Sequence, residues 1–160
     1  MITKIKLEQA DLKGIWFFGL AGSGKTFASN KCANFFEKSF LIDGDEVRRL
    51  ISFDLGYSSL ERNTQIRRVL GIARIAQSNY QFPIVSTVTM TKEVHQKCRQ
   101  LSIEVVKIIR PMEQLQKVRT IYKTDQNVVG KNIKQVNLNT IKMYNNGGRE
   151  FEQKLKEFAK

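Results

Sequence analysis

An apolar run at residues 14–18, Gly14-Ile-Trp-Phe-Phe18, leads directly into Gly19-Leu-Ala-Gly-Ser-Gly-Lys25-Thr26, and a helix-forming stretch follows to about residue 36. Strand, glycine loop and helix start in that order constrain the fold more than any other feature of the chain, because Gly-x4-Gly-Lys-Thr is the phosphate-cradling P-loop pattern. Gly19, Gly22 and Gly24 allow positive φ and bring successive N–H groups close to phosphate oxygens that a Cβ would crowd. A helix beginning near Lys25 adds the positive end of its dipole. Lys25 is suited to bridge β- and γ-phosphates, and Thr26 to offer its hydroxyl to Mg²⁺. Gly19, Ala21, Gly22, Ser23, Gly24, Lys25 and Thr26 thus form the expected phosphate site, with ATP and Mg²⁺ as the expected cofactors.

The rest of the chain alternates between the two periods. Residues 39–42 read as a short strand closed by Asp43-Gly-Asp45, and residues 60–80 as a helix with Ile66, Val69, Leu70, Ala73 and Ala76 on its apolar face. Residues 82–88 form a buried strand, 91–101 a helix, 103–109 a fourth strand and 112–122 another helix. The polar stretch 125–137 reads as a mobile lid, taken as about 123–137, before a fifth strand within 138–144 and a last helix over 149–158. This predicts a three-layer α/β fold, a parallel five-stranded sheet with helices on both faces, whose ligands lie outside the carboxyl ends of the strands. With 160 residues, 41% of them hydrophobic, and no Pro/Gly/Ser linker, one domain over 1–160 is expected.

Composition narrows the setting. Cys32 and Cys98 have no CxxC spacing and no Cys/His cluster around the lone His95, so neither a zinc site nor a disulfide framework is indicated. The first ten residues mix acidic and basic side chains without an apolar core, unlike a signal peptide or membrane anchor, and a cytoplasmic protein is expected. Against 15 Asp+Glu stand 27 Lys+Arg, a net charge of +12, which fits nucleic acid, anionic lipid or small phosphorylated partners alike. The basic residues are dispersed, and neither a recognition helix nor an aromatic-and-Arg sheet surface is apparent, so no nucleic acid or membrane partner is expected.

Asp43-Gly-Asp45, at the end of the second strand, should open onto the rim that carries the P-loop. Two residues apart on an extended segment, the two carboxylates would project to one side, where Asp43 could orient or deprotonate an acceptor hydroxyl and reach Mg²⁺ through water. Asp45 reads either as a second catalytic carboxylate or as the N-cap of a helix starting at Glu46. Lys25 and Asp43 are the expected catalytic pair.

The segments Gly19-Leu-Ala-Gly-Ser-Gly-Lys-Thr26, Leu41-Ile-Asp-Gly-Asp-Glu-Val-Arg48 and Asp54-Leu-Gly-Tyr-Ser-Ser-Leu-Glu-Arg-Asn-Thr-Gln-Ile-Arg-Arg-Val69 resemble the adenylylsulfate kinases in order and spacing. The resemblance runs from about residue 14 to residue 86. It implies transfer of the ATP γ-phosphoryl group to the ribose 3′-hydroxyl of a small-molecule nucleotide with a 5′ acidic group, and a homodimer by family analogy. Asp43 would then face the acceptor hydroxyl while Arg48 and Arg62 grip its acidic group, a task suited to planar guanidinium forks. Asp45, Tyr57, Gln65 and Thr87 complete the expected acceptor site. Gln65 stands where the family usually has Asn, Ser86-Thr-Val-Thr-Met90 replaces "SFISP", and the lid is reduced to Arg119-Thr-Ile-Tyr-Lys123 and residues 126–132. These departures leave two acceptors open, adenylyl sulfate for sulfate assimilation and cytidine diphosphoramidate for capsular polysaccharide modification. The alternative is a nucleotide-binding P-loop protein without transfer activity.

Other residues carry less. Arg67 and Arg68 are neighbours on a helix, so only one of them can face the site. His95 reads as a surface histidine and Phe53 as core, while Tyr57 and Tyr122 could line the acceptor pocket. Lys123, Lys131 and Lys134 could close on phosphates from the lid or remain solvated.

Overall fold

In the computed structural model, which describes residues 11–125, 128–131 and 133–160, five short apolar runs become one all-parallel sheet. They are β1 (Gly14–Phe18), β2 (Ser39–Asp43), β3 (Phe82–Thr87), β4 (Ile103–Ile109) and β5 (Ile141–Tyr144), ordered β2-β3-β1-β4-β5. The expectation for residues 1–10 lies outside the described residues, as do Gln126, Asn127 and Asn132 of the expected lid. No helix among the described residues is long and apolar enough to cross a membrane.

Between the strands run α1 (Lys25–Ala33), α2 (Gly44–Leu50), α3 (Ser59–Ser78), α4 (Lys92–Gln100), α5 (Met112–Val118), α6 (Ile121–Thr124) and α7 (Gly148–Phe158). Every residue of β1 is buried, as a central parallel strand covered on both faces requires. On one face Trp16, Phe18, Val85 and Val105 pack with Ile66, Val69, Leu70 and Ala73 of α3 and with Val94 and Cys98 of α4. On the other, Ile15, Phe17, Ile84, Val106 and Ile108 meet Ala28 and Cys32 of α1 and Phe151 and Leu155 of α7. The five apolar positions expected along α3 are all buried.

Several local expectations are corrected. The helix foreseen over 112–122 breaks in two, with Arg119 extended (φ −136°, ψ 114°) between α5 and α6. Phe53 is 81% exposed rather than core, because the loop joining α2 to α3 lies outside both packed layers. Within the stretch expected as a lid, residues 123, 125, 130, 131, 134 and 137 are exposed, and two valines are not. Val128 and Val129 are buried, Val129 bridges Ile133, and Val128 joins Leu115 and Tyr122 against Leu20 and Ala21 of the P-loop.

Candidate functional site

The loop after β1 begins at Gly19, whose amide donates to Thr87 O at 3.2 Å. A Cβ at Gly19 would lie 2.4 Å from Ile108 O, so glycine is needed there for close approach to β4 and not for positive φ, which only Gly22 (+84°) and Gly24 (+105°) adopt in the loop. Gly24 is the N-cap of α1 and no side chain caps that end, so the first-turn amides of the helix are left for an anion. Lys25 Nζ donates to Leu20 O at 3.0 Å. Burial pushes its pKa down to about 8, against the opposing pull of the Asp45 and Asp43 carboxylates and with a small further push from Arg119. Ala21, Gly22, Gly24, Lys25 and Thr26 line a cavity of about 540 Å³. Ser23 does not line it: the residue is buried and its amide closes a turn onto Leu20 O at 3.0 Å.

Asp43 ends β2 on the facing side of that cavity. Its Oδ1 accepts from the amides of Asp45 (2.9 Å) and Glu46 (3.3 Å), and its Oδ2 accepts from Thr26 Oγ1 and Ser86 Oγ, both at 3.2 Å. Asp43, not Asp45, is therefore the N-cap of α2. The helix starts at Gly44, so Asp45 leaves the extended segment expected for it and lines the cavity from the first turn of α2. The hydroxyl and carboxylate of Thr26 and Asp43 are hard oxygen donors, few in number, which suits Mg²⁺ holding most of its shell from phosphate and water. Among the described residues no group of three or more His, Cys, Asp or Glu forms a metal site.

The opposite wall carries two guanidinium groups held by one loop. Arg48 donates to Gly56 O at 2.7 Å and lies 4.4 Å from the centre of the Tyr57 ring; Arg62 donates through Nε to Tyr57 O at 3.0 Å, 5.3 Å from the same ring. Burial, and then repulsion from Arg48, lower the pKa of Arg62. Glu61 fixes the loop by accepting from Gly56 N, Ser58 N and Ser58 Oγ, in a capping box at the start of α3. Gln65 is buried beside the cavity with Nε2 on Gly44 O at 3.1 Å and no partner for Oε1 among the described residues. Thr87 also lines the cavity; its hydroxyl accepts from Trp16 Nε1 (2.8 Å) and donates to Thr89 O (2.7 Å), so its proton is committed within the protein and one acceptor lone pair is left.

Neither neighbour on α3 enters the cavity: Arg67 pairs with Glu93, and Arg68 with Asp54 at 2.6 Å. Lys123, Lys131 and Lys134 also lie outside its lining, whereas Arg119, Ile121, Asp125, Val128 and Val129 form its lid-side wall. Tyr122 donates to Ala21 O at 2.7 Å instead of facing an acceptor. Sequence reasoning missed Ser86, which lines the cavity from the end of β3, and Arg110 and Asn145, which lie outside its lining and reach the P-loop carbonyls from just beyond β4 and β5. His95 lies on α4 and does not line the cavity.

A family model described as adenylylsulphate kinase matches residues 12–139. The chain is 33% identical over 105 residues to an adenylyl-sulfate kinase of Buchnera aphidicola, covering 61% of this chain and 50% of that one. It is 32% identical over 107 residues to a probable adenylyl-sulfate kinase of Bacillus subtilis, covering 62% and 54%. The matched part thus spans about half the length of these curated relatives. Among solved structures, the Mycobacterium tuberculosis APS kinase in complex with AMPPNP and APS superposes with a TM-score of 0.76, covering 92% of this chain and 95% of that one; at 18% identity the likeness concerns the fold.

Proposed function

Because the chain belongs to the adenylylsulphate kinase family, we propose that it transfers the γ-phosphoryl group of ATP to the ribose 3′-hydroxyl of a nucleotide with an acidic group on its 5′ side. One observation carries this reading: the uncapped start of α1 and the Asp43 carboxylate meet through Thr26 at one cavity, and Arg48 and Arg62 stand on its acceptor side.

The glycine amides and Lys25 hold the donor phosphates, and Asp43 orients the acceptor hydroxyl. The hydroxyl oxygen forms a bond to the γ-phosphorus as the bond from that phosphorus to the β-bridging oxygen breaks, ADP departs, and the hydroxyl proton passes to the Asp43 carboxylate or to water. Thr26, and Asp43 through water, would hold Mg²⁺, which when bound neutralises charge on the phosphates. Positioning and electrostatics supply most of the rate, since the transferred group needs little covalent help. Arg48 and Arg62, with Tyr57 between them, take the acidic group of the acceptor, and the unpartnered Gln65 Oε1 is available to an acceptor N–H donor. Adenylyl sulfate and cytidine diphosphoramidate are the two acceptors to test, for sulfate assimilation and capsule modification respectively. A cytoplasmic setting and, by family analogy, a homodimer belong to the same reading.

The test incubates the protein with labelled ATP and Mg²⁺ beside each of these two nucleotides, gluconate and shikimate. Label on a nucleotide acceptor is expected, with Asp43→Asn lowering transfer by orders of magnitude while nucleotide binding persists. Absence of transfer to either nucleotide overturns the reading in favour of a binding protein.

A further inference from the structure

Four consecutive carbonyls of the P-loop each accept a side-chain hydrogen bond. Leu20 O takes Lys25 Nζ at 3.0 Å, Ala21 O takes Tyr122 Oη at 2.7 Å, Gly22 O takes an Arg110 guanidinium N–H at 3.0 Å, and Ser23 O takes Asn145 Nδ2 at 2.8 Å. Only the lysine belongs to the loop motif. Tyr122 comes from α6, Arg110 from the end of β4 and Asn145 from the end of β5. Each of the three is itself braced: Arg110 also donates to Gln114 Oε1, Asn145 Oδ1 accepts from Gly147 N while the Asn145 backbone N–H donates to Ile109 O, and the Tyr122 ring is buried against Leu115 and Val128.

Because a trans peptide is planar, fixing the carbonyl of one residue fixes the amide of the next to point the opposite way. The bond to Ala21 O therefore aims the Gly22 amide, and the bond to Ser23 O aims the Gly24 amide. Neither amide has a protein acceptor among the described residues, and both glycines line the cavity. The bond to Gly22 O holds the plane between them, whose Ser23 amide closes the internal turn onto Leu20 O.

We propose that Tyr122, Arg110 and Asn145 are positioning residues for the phosphate donor, clamping the outward carbonyls of the loop so that the Gly22 and Gly24 amides stay directed at its phosphates. This rests on the reading of the loop as the donor's site. The acceptor wall, built from β2, β3, α2 and α3, is untouched by the clamp.

The experiment measures MgADP and inorganic tripolyphosphate dissociation constants by titration calorimetry for wild type, Tyr122→Phe, Arg110→Ala and Arg110→Lys, with thermal melting and steady-state kinetics alongside. Tyr122→Phe removes only a hydroxyl, so its fold is not at risk. Losing one clamp bond should weaken both ligands roughly threefold to tenfold, the range expected for a single hydrogen bond. It should raise the ATP KM in step, leave the acceptor KM unchanged, and lower the melting midpoint by no more than about 5 °C; Arg110→Lys should recover most of the loss. Unchanged affinities in the variants overturn the clamp while leaving the proposed function standing. Weaker MgADP binding with tripolyphosphate binding intact overturns it too, since the residue then acts on the nucleoside. Failure of the wild type to bind MgADP overturns the donor-site reading and the clamp with it.

Discussion

Lys25 combines burial with the role proposed for it at the donor phosphates. Its ammonium is desolvated inside the P-loop and its pKa falls from an ordinary 10.5 to about 8, because the two nearby carboxylates compensate burial only in part. Phosphates favour the charged form, so nucleotide binding should draw a proton onto Lys25 near pH 8, and MgADP affinity should fall as pH rises above about 8. In the protein without nucleotide the sign reverses: the unfolded chain keeps its proton up to 10.5, so stability should rise with pH between about 8 and 10.5. Calorimetric titration across that range checks the first expectation, and Lys25→Arg, charged throughout, should flatten the profile. A wild-type dissociation constant independent of pH would show that the lysine stays protonated there. The motif disclosed Lys25 and, of the three glycines expected at positive φ, Gly22 and Gly24, but the use of Asp43 as a cap was hidden, since whether Asp43 or Asp45 caps α2 depends on where the strand yields to the helix.

At the scale of elements, the loop between α2 and α3 is the structural unit of the wall proposed to bind the acceptor. Asp54 is tied to Arg68, Glu61 gathers the Gly56 and Ser58 amides, and the carbonyls of Gly56 and Tyr57 receive Arg48 and Arg62. The segment that carried the family resemblance is therefore largely scaffold for two guanidinium groups. Ser58→Ala removes the hydroxyl that caps α3 and should cost about 1 kcal/mol of stability, read from a denaturant midpoint. Loosening the loop should also raise the acceptor KM several-fold with the ATP KM unchanged, and an unchanged acceptor KM would mean that the loop does not orient the arginines. The lid was the element least legible in the sequence. Its polar composition concealed Val128 and Val129, and two valines in a run of polar residues give no period by which burial can be read.

In the whole molecule the strand order divides the work. β2 and β3 deliver Asp43 and Ser86 to the proposed acceptor side, whereas β4 and β5, flanking β1 on its other side, deliver Arg110 and Asn145 behind the P-loop. The two sides are held in register by a central strand with no exposed residue, so damage to β1 should reach both substrates together. Phe17→Ala should cost about 3–5 kcal/mol, because the ring is fully buried between α1 and α7 and its cavity has little room to collapse. Chemical denaturation measures the loss, and a value below about 1 kcal/mol would mean that the helices on that face close over the gap.

The alternation of apolar runs and the glycine loop were enough to determine a parallel α/β sheet and the position of the loop proposed to hold the donor's phosphates, because period and turn chemistry are local properties of the chain. What tertiary structure alone decided is which distant groups converge on that loop. The Asn145 amide on Ser23 O and the Tyr122 hydroxyl on Ala21 O join residues 122 and 101 positions apart in the chain. No local pattern encodes such a pairing; it follows from the order in which strands are laid side by side.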